Sequence, residues 1–555
     1  MSRIYDIAED YVTAHAALDP LGATRAGISG HDTEMTDYSP DGFDARAELD
    51  RRTLQALGRA PVTSERDRVA RDFMAERLTS AVELADAGES YLTVRVIGSP
   101  VGAPRQVFDG MARATQENWW TITRRLEKLP ATLSGYRVTL EEGFEKGVVN
   151  ARRQLAEAAL QCEVWSGATG NIPFFQGLLN SFDESGVANA ALRRDLARAC
   201  DGATAAYASL AGYLRSRADR GAEADGCGRE RYGLNARNFL GADLDLDETY
   251  AWGWQDLHQV QAEMRSVAGK ILPGATVEEA VVHLDADPAR FLESVDDYRA
   301  WLQEEHDRAL RELQGTHFDI DPRGMRVEVR IPPPGGAMAA YYTGPSEDFS
   351  RPGRTWWPTG TATRFARWRF ISTAYHEGVP GHHLDYVSRR SLEHELSRFQ
   401  RTLGFVSGYS EGWALYAERL MGELGYLEIP EYYLGMLKAQ AMRAARVIVD
   451  IGMHLGLSIP DAERFHPGET WDAKLAADFM VECTSNSREF MESEVVRYLG
   501  WPAQAISYKV GERYWLEARE AARRRLGTDF NLKRFHTEAL NLGPLGLDQL
   551  RRELA

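Results

Sequence analysis

The chain has 555 residues, 44% hydrophobic and 26% charged, proportions of an ordinary soluble globular protein with enough length for a large core and more than one lobe. Its 82 acids outnumber its 65 bases for a net charge of −17, and no long Lys/Arg run appears, which speaks against nucleic-acid binding. No apolar run approaches the roughly 18 residues of a membrane helix, so no membrane partner is expected.

The opening residues carry acids where a secretory signal would place an apolar core, which makes the cytoplasm the expected location. An amphipathic stretch there gives way, after Asp19-Pro20-Leu21-Gly22, to a loop region up to about residue 60. Arg66–Ala87 and Ala188–Ala218 are rich in Ala, Leu, Arg and Glu with apolar residues at three- and four-residue spacing, the pattern of packed helices. Breaks at Gly98-Ser99-Pro100, Gly167–Pro173 and Gly221–Gly228 punctuate this helical lobe, and the last is the best linker. The expected division is an N-terminal helical lobe over 1–235 and a second, metal-binding lobe over 236–555. Cys162, Cys200, Cys227 and Cys483 are widely spaced and form no C-x-x-C pair, the usage of reduced structural cysteines.

A long helix is introduced by Leu244–Tyr250 and runs through Trp254 and Met264. Arg326–Ile331 then alternates polar with apolar residues, and Ala339-Ala340-Tyr341-Tyr342 follows a Pro-Gly turn, so about 325–343 reads as a short hairpin. Residues 343–358 form a Gly/Pro/aromatic loop. Its Arg351 suits either a substrate carboxylate or a loop contact with Glu347 or Asp348.

Residues 375–386, Tyr-His-Glu-Gly-Val-Pro-Gly-His-His-Leu-Asp-Tyr, concentrate metal-ligand side chains beyond what packing calls for. In the zinc signature H-E-x-x-H, two His one turn apart reach one ion and the Glu activates water. Here Pro380 occupies the second His position. In an unbroken helix His383 would return to the face of His376 roughly 10 Å along the axis, and His382 would be rotated away and also too far. Zn–N bonds of about 2.0–2.1 Å cannot span this, so the helix must be interrupted. Pro380 removes a helical N–H and Gly381 adopts backbone angles other residues resist, so 378–381 reads as a bulge between two ligands, His376 and either His382 or His383.

This stretch resembles the H-E-x-x-P-G-H-H signature of a bacterial family known as domain of unknown function 885, itself similar to the gluzincin metallopeptidases. Ser410–Glu418 is similar to that family's E-G-W-A-x-Y-x-E segment, and the resemblance implies Glu411 as third ligand, with Glu418 about two turns on behind the ligands. Gly381-His382-His383-Leu384 resembles the Gly-His-x-Leu of carboxypeptidase Taq-like enzymes, which favours His382 over His383. On a helix over 432–455, Arg446, Asp450 and His454 stand four residues apart; they resemble the family's polar stripe and equally suit a buried ion-pair network. Glu494–Gly511 is similar to the C-terminal signature, with Ala503 where Gly is common. The gluzincin likeness implies an oxyanion donor there, Tyr498 or Tyr508, with Arg497 as a carboxylate anchor. It also implies a mainly α fold with a central cleft and a small sheet beside the metal helix, whose edge, with Tyr342 and Arg351, would contact substrate.

The expected function is that of a hydrolase holding one Zn²⁺ per chain, with Glu377 as general base, acting on short peptides. A hydrolase or lyase of small amides and a non-catalytic binding protein with a degenerate site are the alternatives. Oligomeric state is left open, a dimer included.

Overall fold

The computed structural model describes residues 2–332 and 339–554. Helices dominate, as the periodicity requires, and the chain groups into two compact units. One comprises residues 2–61 and Leu78–Asp225. The other comprises Val62–Arg77, Gly226–Pro332 and 339–554.

In the first unit the long helix Gln116–Lys146 starts at a capping box, where Thr115 and Asn118 satisfy each other's backbone N–H groups, and stops at Gly147 with φ 74°. With Arg152–Ser166 and Ala190–Arg217 it buries a core that includes Trp119, Tyr136, Leu155 and Tyr207. The cysteines Cys162 and Cys200 are buried there and free.

The second unit carries five short strands among the described residues: β1 (Phe291–Leu292), β2 (Val327–Arg330), β3 (Tyr341–Thr343), β4 (Gly353–Trp356) and β5 (Phe365–Ala366). β1 pairs antiparallel with β5. Val327 and Val329 of β2 are buried while Arg330 is exposed, as the period-two pattern requires. The hairpin expectation is corrected. β2 and β3 do not pair; β4 lies between them, parallel to β2 with Val327 opposite Gly353, and antiparallel to β3 with Tyr341 opposite Trp356. The stretch read as loop supplies this strand because Thr355 and Trp356 bury themselves there, with Trp356 stacked on Tyr341 at 5.7 Å and bonded to Thr343 Oγ1. The expected Pro-Gly turn before Ala339 lies outside the described residues.

Six helices build the rest of the site: α1 (Arg367–Glu377), α2 (His382–Ser391), α3 (Ser407–Glu423), α4 (Pro430–Leu455), α5 (Arg488–Gly500) and α6 (Ser507–Leu526). α4 begins with Pro430, ends at Gly456 with φ 63°, and is buried on nearly every side over Leu434–His454. α3 and α6 cross where a Cβ on Gly511 would lie 2.0 Å from the Gly408 carbonyl oxygen. Only glycine allows that approach, and it brings Tyr508 on α6 towards Glu411 on α3.

Candidate metal centre

α1 ends at Glu377 and α2 begins at His382, so residues 378–381 form the interruption that the ligand geometry requires. The Val379–Pro380 peptide is cis. Gly381 donates its N–H to the Tyr375 carbonyl at 3.0 Å, and a Cβ on it would lie 2.0 Å from the His376 carbonyl oxygen. Breaking a helix frees carbonyls that need partners. Trp413 of α3 supplies one, donating its indole N–H to Pro380 O at 2.8 Å. The chain doubles back, and the rings of His376 and His382 meet at 4.9 Å between centroids, nearly perpendicular.

Three ligand atoms converge. Glu411 Oε2 lies 3.3 Å from His376 Nε2 and 3.5 Å from His382 Nε2, and one atom from each residue falls within 4.8 Å of the others. Bonds of about 2.0–2.1 Å at tetrahedral angles separate ligand atoms by about 3.3–3.4 Å, so the two carboxylate separations match the edges of a zinc tetrahedron. Glu411 Oε2 is buried with no hydrogen bond among the described residues, an orphaned acceptor of the kind a cation satisfies. His383 is engaged elsewhere: Nδ1 meets Tyr342 OH at 2.9 Å and Nε2 meets Gly324 O at 2.7 Å. The choice between the two histidines therefore falls on His382.

Outer contacts fix the ligand rings. Glu418 Oε1 lies 2.9 Å from His376 Nδ1 and in turn 3.5 Å from Arg443 of α4. His382 Nδ1 lies 3.3 Å from Ser410 Oγ, which donates to Asp385 at 3.0 Å. Such contacts leave each Nε2 free to face an ion. Glu418 stands where the spacing put it. Arg443, Ser410 and Asp385 were missed, although Ser410 adjoins Glu411 and Asp385 follows His382 by one helical turn.

The charges of the cluster are coupled to one another. Burial raises the Glu377 carboxyl, only partly offset by His376 and His382. Burial also works against the His376 cation, yet the Glu411 and Glu418 carboxylates that face its two ring nitrogens push it up to about 9. For Glu411, the two histidines overcome burial and hold the carboxyl well below its ordinary range.

The cluster opens on a cavity of about 530 Å³ within the second unit, lined also by Glu377, Tyr342 and Tyr508. Tyr508 stacks on His376 at 6.2 Å, with the Arg446 guanidinium 4.8 Å from its ring centroid and no hydrogen-bond partner for its hydroxyl among the described residues. The other oxyanion candidate is placed differently. Tyr498 is fully buried and does not line the cavity, its hydroxyl accepting from Arg446 at 2.8 Å and donating to Glu494 at 2.8 Å. Arg497 is likewise spent on Glu494 and Gln504 and does not line the cavity. Arg351 is outside the lining too. Its backbone closes a loop on Ser346, and Glu347 forks with Arg398. Tyr342 does line the cavity, but its hydroxyl is committed to His383. Of the polar stripe, Arg446 reaches the cavity. Asp450 bonds Tyr232 and the Ala503 N–H, while His454 meets Tyr498 O at 3.1 Å, so these two serve a buried hydrogen-bond network and do not line the cavity.

Fold and site together define a mainly α protein with a small sheet and a His/His/Glu cluster at an interrupted helix. The chain belongs to the family described as "Bacterial protein of unknown function (DUF885)", whose profile matches residues 20–554. It is similar over its whole length to the crystal structure titled "putative lipoprotein" from Colwellia psychrerythraea, with a TM-score of 0.84 at 21% identity, covering 100% of this chain and 99% of that one. A "putative lipoprotein of unknown function" from Shewanella oneidensis superposes with a TM-score of 0.73 at 19% identity, covering 99% of both chains. At these identities the likeness establishes the fold alone. A search of curated proteins returns no match. No helix among the described residues is long and apolar enough to cross a membrane.

Proposed function

We propose that this chain is a zinc-dependent hydrolase that cleaves short peptides, with His376, His382 and Glu411 holding the ion. The observation that carries this reading is the convergence of three ligand atoms within 4.8 Å, beside Glu377, at the wall of one cavity. Bound there, Zn²⁺ would polarise a carbonyl and bring the pKa of a water near ~7. The chain's own residues do the rest. Glu377, buried and raised in pKa, takes the proton as the water oxygen bonds to the amide carbon, and returns it to the nitrogen as the C–N bond breaks. Tyr508 donates its hydroxyl to the developing oxyanion, its ring held between His376 and Arg446. Glu418 and Ser410 hold the ligand imidazoles in register.

The test is Glu377→Gln assayed on a peptide library with a small-amide panel beside it. The variant should keep its metal and lose turnover by roughly 10²–10⁴-fold. Wild-type turnover in that variant would remove Glu377 from the mechanism, and cleavage confined to the amide panel would replace peptides as substrate. For location, the titles of the two solved neighbours favour a lipid-anchored setting over the cytoplasm; cell fractionation decides.

A further inference from the structure

One wall of the cavity is a single face of α4, where Gly435, Lys438, Ala439, Met442, Arg443 and Arg446 recur at three- and one-residue steps. Three of the cavity's cations are already matched by acids: Arg369 by Asp285, Arg443 by Glu418 and Arg446 by Glu494. Lys438 is not. It is 7% exposed, and its ammonium has no hydrogen-bond partner among the described residues; its near neighbour is the face of Trp368, 5.8 Å from Nζ to the ring centroid.

A buried ammonium without a partner is costly, so its presence at the wall of a ligand-sized cavity needs a compensating anion. We propose that Lys438 anchors a carboxylate of the substrate, in a subsite walled by Trp368 and Gly435. This deepens the hydrolase reading and rests on it for the identity of the reacting bond.

The single charge argues for a carboxylate. A phosphate carries more charge and is met by arginine forks or helix N-termini, whereas the arginines here are engaged with Asp285, Glu418 and Glu494. The lysine stem is flexible enough to bring its ammonium to a group entering beside Trp368. Burial, with Arg369 adding repulsion, outweighs the attraction of Asp285 and Glu278 and pulls the Lys438 ammonium down to about 8, and an incoming carboxylate would reverse that shift.

The test measures binding, not turnover, so that it stands apart from the hydrolase reading. The full-length chain in a Glu377→Gln background, which spares the probes, is titrated calorimetrically with N-acetyl-Phe-Ala, with its C-terminal amide, and with N-acetyl-Phe-Glu amidated at the C-terminus. The free acid should bind about ten-fold or more tightly than the amide, and Lys438→Met should bring the two within about two-fold, while Lys438→Arg keeps most of the preference. Tight binding of the third probe assigns the site to an acidic side chain; binding of the first alone assigns it to a C-terminal carboxylate. Lys438→Met should melt no lower than its parent, because it removes an unpartnered charge. Equal binding of acid and amide, a preference that survives Lys438→Met, or no binding of any probe at millimolar concentration would each overturn the proposal. Loss of turnover in Glu377→Gln is a separate readout, and either reading can fail alone.

Discussion

Trp413 donates its indole N–H to the carbonyl of Pro380 at 2.8 Å. This contact ties the interruption between α1 and α2 to α3, the helix that carries Glu411, and so links two ligands to the third. Trp413→Phe should cost about 1–3 kcal/mol by leaving a buried carbonyl unpaired. Because the bulge is then less firmly held, zinc affinity should fall about ten-fold or more. Competition with a chromophoric chelator measures it; unchanged affinity would show that the bulge is held by its own turn.

Tyr508 and Tyr498 lie ten positions apart in the chain and have different surroundings. Tyr508→Phe should lower kcat by about 10²-fold with metal retained, because it removes the donor that faces the cavity. Tyr498→Phe should instead lower stability by about 1–2 kcal/mol, through the loss of its bonds to Arg446 and Glu494, with less than a ten-fold change in kcat. Denaturant unfolding together with steady-state kinetics separates the two, and a reversed pattern would exchange their roles.

Much of this site is legible in the sequence because its chemistry is local. Pro380-Gly381 between histidines cannot continue a helix, and the Zn–N bond length then demands the doubling back that brings His382 to His376. What was illegible depends on partners distant in the chain. β4 comes from a Gly/Pro/aromatic stretch with little strand pattern, and only its place between β2 and β3 makes it one. Arg497 and Tyr498 are a turn of helix from Glu494, which captures both, so their chemistry turns inward. Lys438 looks in sequence like any surface lysine, and its burial depends on Trp368 of α1.

Asp450 is fully buried between Tyr232 and the Ala503 N–H, with one carboxylate oxygen lacking a hydrogen bond among the described residues. Burial pushes it up to about 7, against an ordinary 3.8. A carboxyl raised on folding binds its proton more tightly in the native state, so stability is lost as pH rises from about 4 through about 7. Asp450→Asn does not titrate. Relative to it, the wild type should lose as much as about 4 kcal/mol over that window. Thermal melts of the pair from pH 4 to 8 check this, and parallel curves would contradict it.

The central claim is that one ion sits among His376, His382 and Glu411. Elemental analysis of zinc-loaded, desalted wild type beside His376→Ala, His382→Ala, His383→Ala and Glu411→Ala, each confirmed folded, tests it most directly. The account predicts about one zinc per chain, lost from the His376, His382 and Glu411 variants and kept by the His383 variant. A wild type that retains no metal, or a His382 variant that retains it fully, would contradict the account.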